Sequence, residues 1–120
     1  MLKPAFFHEK VRSILRAFPE EVKRALGKAV LELQKGKKLT YPLSKPLPSV
    51  GRGVEEIRVK DRSGAYRVFY LARLSEGVLV FHAFVKKTRE TPSHEIELGR
   101  KRLKEMLNES TKSLCNKKRI

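Results

Sequence analysis

Between Gly53 and Thr88 apolar residues crowd into three runs, Val54–Lys60, Ala65–Arg73 and Val78–Lys86. Each has strand length and is enriched in Val, Ile, Phe, Tyr and Leu. Ser63-Gly64 and Glu76-Gly77 separate them and supply turn positions suited to a residue without a Cβ. Connections this short cannot hold a parallel crossover, so the runs predict an antiparallel three-stranded meander. Upstream, Leu2–Phe7 is short and apolar and reads as an edge strand, a place where the missing donor of Pro4 is tolerated.

The apolar period then lengthens. Val11, Ile14 and Leu15 recur at helical spacing between His8 and Ala17, until Phe18-Pro19 breaks the pattern. Pro19 suits the first turn of a second helix, with Glu20 and Glu21 on its positive end. The stripe Val22, Leu26, Ala29, Val30 and Leu33 carries that helix to about Gln34, and Gly36 ends it. Lys37 to Arg52, with three prolines, reads as an irregular packed connection pinned by Tyr41, Leu43, Leu47 and Val50. After the meander, Thr91 is placed to cap a helix starting at Pro92. Its inner face is Ile96, Gly99, Leu103 and Leu107, and the spacing stops at Asn108. The expected class is α+β: a small antiparallel sheet, two N-terminal helices packed on one face, and a C-terminal helix. Residues 1–108 form one domain, and 109–120 read as a disordered basic tail.

Charge narrows the partner. The chain of 120 residues has 28 Lys and Arg against 13 Asp and Glu, a formal charge of +15. The excess is spread through the folded part, 11 basic to 4 acidic in 1–50 and 9 to 5 in 51–91. With 40% apolar content this is a folded polycation, suited to a polyanion such as nucleic acid. The single Cys115 excludes an intramolecular disulfide, and no Cys, His or carboxylate spacing suggests a metal. No cofactor motif, serine nucleophile or phosphate-cradling Gly loop is present. No apolar run has membrane-spanning length, and the expectation is a cytoplasmic protein without a membrane partner.

Alternation assigns the chemistry to a face. Glu56, Arg58 and Lys60 share one side of the first meander strand, opposite Ile57 and Val59. Arg67 and Arg73 are in phase on the second, opposite Tyr66, Val68 and Tyr70. On the third, His82, Phe84 and Lys86 alternate against Phe81, Ala83 and Val85. Packing the apolar sides together gathers Arg58, Lys60, Arg67, His82 and Lys86 on one concave side free of helices, with Phe69 and Phe84 interleaved. Cations with exposed rings suit single-stranded RNA. His82, inside VLVFHAFV, fits a partly buried core histidine better than an acid or base, and His8 and His94 read as surface residues at helix starts.

GxGVEEIRVKDRSGAYRVFYLA followed by VLVFHAFVKKTRETPSHEIELGRKRLKE resembles the HigB-like branch of the RelE/ParE toxin superfamily, including its phage-derived members, over about residues 5–107. The resemblance implies a small α+β toxin that cuts mRNA on the ribosome without metal. Its partner would be a helix-turn-helix antitoxin, through which alone it meets operator DNA. It implies attack of a ribose 2′-hydroxyl on the adjacent phosphate. Arg67, in YRVFY, matches the phosphate-stabilising arginine. Arg58 and Lys60 match the basic strand before it, and Lys86 and Lys87 match the basic end of the last strand. The catalytic set is then Arg67, Lys60, His82 and Lys86, with His82 and Lys60 as candidates for general base and acid. Arg58, Phe69, Phe84, Lys87, Arg89, Arg100, Lys101 and Lys104 would bind RNA. The C-terminal tyrosine of some relatives has no equivalent after Leu98, and gyrase-directed members without ribonuclease activity also exist in the superfamily.

Overall fold

The computed structural model describes residues 2–86 and 92–116, and for residues 73, 74 and 109–116 the backbone alone. Five strands and three helices alternate as β1 (Ala5–Phe7), α1 (Glu9–Arg16), α2 (Glu20–Gln34), β2 (Ser44–Pro46), β3 (Glu55–Asp61), β4 (Gly64–Leu74), β5 (Gly77–Lys86) and α3 (Ser93–Asn116). The sheet order is β1-β5-β4-β3-β2. The meander β3–β5 is antiparallel as the turns require. Two features depart from the expected sheet. β1 pairs parallel with β5, Ala5 opposite Val78 and Phe7 opposite Val80. A short β2, inside the stretch expected to be irregular, adds antiparallel to β3 with Ser44 opposite Ile57. The sheet is therefore mixed and five-stranded.

Both faces of the sheet are covered. Val11, Phe18, Val22, Leu26, Ala29 and Leu33 of α1, α2 and the link between them pack on Ile57, Tyr66, Val68, Tyr70, Val78 and Val80. On the other side α3 and the loop before β3 bring Leu103, Met106, Val50 and Val54 onto Phe69, Leu71, Leu79, Phe81 and Phe84. The expectation of a concave side free of helices is thus corrected. Alternating side chains on β4 are apolar on both faces because both are buried, which also explains why its phase is hard to read from pattern.

Several anchors differ from expectation. Leu39 and Val50 bury the connection after α2, whereas Tyr41 and Leu43 are exposed. The inner stripe of α3 uses Met106 where Leu107 was expected; Leu107 faces outward. The helix begins at Ser93 and runs to Asn116, past the expected stop at Asn108, while the proposed cap Thr91 lies outside the described residues. His8, expected at the surface, is buried as the N-cap of α1: its Nδ1 accepts from Lys10 N at 3.2 Å and its Nε2–H donates to Glu105 Oε1 of α3 at 2.8 Å. This hydrogen bond, more than any other effect, holds the Glu105 carboxyl below the usual range.

Candidate nucleic-acid interface

Antiparallel pairing lays the polar side of the meander out in rows. Arg58 is opposite Arg67, and Arg67 is opposite Phe84. In the next row, toward the strand ends, Lys60 and Lys86 flank Ala65. On the other side, Lys45 of β2, Glu56, Phe69 and His82 make the row that disappears beneath α3. Side chains in a sheet stand perpendicular to it, so neighbouring rows bring Lys45, Glu56, Arg58, Arg67 and Lys86 together.

Arg67 is the centre of this group. It is only 7% exposed, yet its Nε has no hydrogen-bond partner and lies 3.8 Å from Glu56 Oε1. One Nη1 bond reaches the Tyr66 carbonyl at 3.4 Å. Burial pulls the Arg67 pKa down, the buried Glu56 carboxylate opposes this, and Arg58 adds to it. A guanidinium in such a place keeps its charge, with a planar fork and little of its donor capacity used. Beside it, desolvation lowers the Lys86 pKa, and Arg67, Arg58 and Lys45 lower it further against the pull of Glu56. Half-buried cations crowded together in this way bind an anion more strongly than surface lysines would, and a lysine so placed is a better proton acceptor.

The predicted residues separate into two groups. Arg58, Arg67 and Lys86 do come together, and Lys60 stands exposed one row further on. His82 does not join them. It is 2% exposed, its Nε2–H donates to Glu95 Oε1 at 2.6 Å, and its Nδ1 accepts from Arg102 Nη1 at 2.8 Å. Desolvation lowers its pKa and keeps it neutral, so it fastens β5 to α3 and has no nitrogen left for chemistry. Phe69 and Phe84 are likewise corrected. Both are buried under α3, meeting edge to face at 5.5 Å, and offer no ring to a ligand. The reason is the helix α3 laid over this face; in addition the register shifts between Phe69–His82 and Tyr70–Val80, so Phe81 is an extra residue in β5. Such a bulge puts Phe81 and His82 on the same side, which strict alternation does not foresee. On α3, Arg100 Nε donates to the Ser49 carbonyl at 2.7 Å, and Lys101 and Lys104 are exposed. Lys87 and Arg89 lie outside the described residues.

Sequence reasoning missed three members. Glu56 was placed in phase with Arg58 but given no part, although a lone acid among in-phase cations is itself a signal. Lys45 lies on a strand hidden between prolines. Tyr41 was taken as a core anchor, yet it is 71% exposed and its ring centroid lies 5.7 Å from the Arg58 guanidinium carbon. Among the described residues no group of three or more His, Cys, Asp or Glu is placed to hold a metal, and no helix is long and apolar enough to cross a membrane.

Compared with known families, residues 13–104 match the one described as Phage derived protein Gp49-like (DUF891). No curated protein matches the chain.

Proposed function

The chain belongs to the phage derived protein Gp49-like family, and from that premise we propose that it is the toxin of a toxin–antitoxin pair, of the HigB-like kind, and an endoribonuclease that cuts mRNA on the ribosome. The observation that carries this reading is Arg67: a buried guanidinium with an unbonded Nε, flanked by Arg58 and by a lysine of depressed pKa. That is what a pentacoordinate phosphorane needs, directed donors where negative charge develops.

In the proposed reaction the scissile phosphate sits over the Arg58–Arg67 row. Lys86, in its neutral form, takes the proton of the ribose 2′-hydroxyl. The 2′-oxygen bonds to phosphorus and the bond to the 5′-oxygen breaks, giving a 2′,3′-cyclic phosphate. Lys60, across Ala65 from Lys86, gives its proton to the departing 5′-oxygen, which becomes a hydroxyl. Glu56 holds Arg67 in place. A free polycation of this kind binds RNA indiscriminately, which favours a neutralising helix-turn-helix partner encoded beside it; operator DNA would be reached only through that partner.

Primer extension after brief expression tests the activity: the expected result is translation-dependent cuts at defined positions in transcripts. Arg67→Lys keeps the charge but loses the fork, so single-turnover cleavage on programmed ribosomes should fall about a hundredfold, on the order of 3 kcal/mol in the barrier. Growth arrest with intact transcripts and DNA damage would replace this reading by a gyrase-directed, non-catalytic one.

A further inference from the structure

With Phe69 and Phe84 buried, the cation cluster lacks the aromatic surface that single-stranded RNA normally finds beside basic side chains. The structure supplies one from elsewhere. Among the described residues Tyr41 is the one Phe or Tyr ring that is mostly exposed. It stands at the tip of a turn closed by Ser44 N–H donating to the Thr40 carbonyl at 3.0 Å. The far side of that turn is bonded to the sheet, with Arg58 N–H donating to the Leu43 carbonyl at 2.8 Å. The residue that places the loop is thus the residue whose guanidinium lies against the ring. Arg58 belongs in turn to the group acting on Arg67 and Lys86.

We propose that Tyr41 is a stacking platform for a nucleobase of single-stranded RNA whose phosphates rest on Arg58, Arg67 and Lys86. The inference rests on the RNA reading above and adds to it the base contact. Arg58 covers part of the ring by a cation–π contact, and the remaining surface faces solvent. A base laid on that surface keeps its own phosphate within the Arg58 row, so one arginine serves both the ring and the backbone. Stacking of this kind is tolerant of base identity, because every base has a π-face. Tyr41 therefore binds and positions substrate and takes no part in proton transfer.

The test uses the full chain and an eight-nucleotide fluorescein-labelled RNA, 2′-O-methylated so that it cannot be cut. Its control is an oligomer of equal length and charge lacking bases at every position. Anisotropy titrations compare the wild type with Tyr41→Ala and Tyr41→Phe. Loss of base stacking should weaken RNA binding by Tyr41→Ala on the order of tenfold. Binding of the abasic chain should be unchanged, and Tyr41→Phe should bind both as the wild type does. If Tyr41→Ala weakens both ligands equally, or leaves RNA binding intact, the base contact is refuted while the RNA reading stands. A wild type that binds neither ligand overturns the RNA reading and this inference together.

Discussion

Gly99→Ala tests how α3 is seated. An ideal Cβ at Gly99 would lie 2.7 Å from Phe69 Cδ2, 2.9 Å from its Cε2 and 3.4 Å from Val50 Cγ1. Carbon pairs settle at about 3.5–4.0 Å, so ring or helix must move by roughly 1 Å. The ring cannot swing aside. Phe69 is fully buried, and its centroid is 6.2 Å from Phe81, 5.2 Å from His82 and 5.5 Å from Phe84. Movement of the helix instead would loosen the Glu95 and Arg102 bonds to His82. Helix propensity favours alanine by about 1 kcal/mol, whereas overpacking of a tight core costs about 1–3 kcal/mol. With a ring that cannot yield, overpacking wins, and Gly99→Ala should destabilise by up to about 2 kcal/mol. Urea unfolding of Gly99→Ala, Phe69→Leu and the double variant measures it. The alanine should cost less in the Phe69→Leu background, by at least about 0.5 kcal/mol, because the clashing ring atoms are gone. A higher urea midpoint for Gly99→Ala alone would refute the close approach.

Two further outcomes concern titration. Desolvation keeps His82 below the ordinary imidazole range, with Arg102 and His94 acting in the same sense and Glu95 against it. As pH falls below about 6.5 the unfolded chain binds a proton there that the folded one refuses, so stability should drop between pH 7 and pH 5.5. In His82→Gln this slope should flatten, and an unchanged slope would remove His82 as its source. Burial raises the Tyr70 phenol to about 12, in spite of its bond to Ser44, with Glu55 adding to the rise. Its absorbance at 295 nm should therefore appear only near that pH, with Tyr70→Phe removing the late step, and stability should fall as pH rises from the unfolded phenol's value of about 10 to about 12.

The helices and the meander were legible because their signals are local. The stripe Val22, Leu26, Ala29 and Leu33 is buried as its spacing implies, and Ser63-Gly64 and Glu76-Gly77 make the turns. What escaped the sequence depends on distant neighbours. Parallel pairing of Phe7 with Val80 leaves no mark in either segment, and three residues bounded by prolines do not announce a strand such as Ser44–Pro46. The cations Arg58, Arg67 and Lys86 were found because alternation is a backbone property. Phe69, Phe84 and His82 were misplaced in the open because the lid over them is α3, a helix from the far end of the chain. Tyr41 was missed for the opposite reason: an aromatic in a polar loop is ordinarily read as an anchor.

The pairing of the first strand with the last has a consequence for the order of assembly. Ala5–Phe7 has no partner until Val78–Val80 has been made, and Gly77 must come so close to Pro4 that a Cβ there would lie 2.5 Å from its carbonyl oxygen. At about 5–20 residues per second, a nascent chain waits roughly 4–15 s between the two. Through that interval Val11, Val22 and Leu26 have no Val78, Val80 or Ala83 to cover them. Long-range closure of this kind slows folding and leaves apolar surface open to other chains. A fragment ending at the Ser75-Glu76 turn would carry both N-terminal helices and the strand of Arg67, yet β1 would have no β5 to pair with and α3 would be missing altogether.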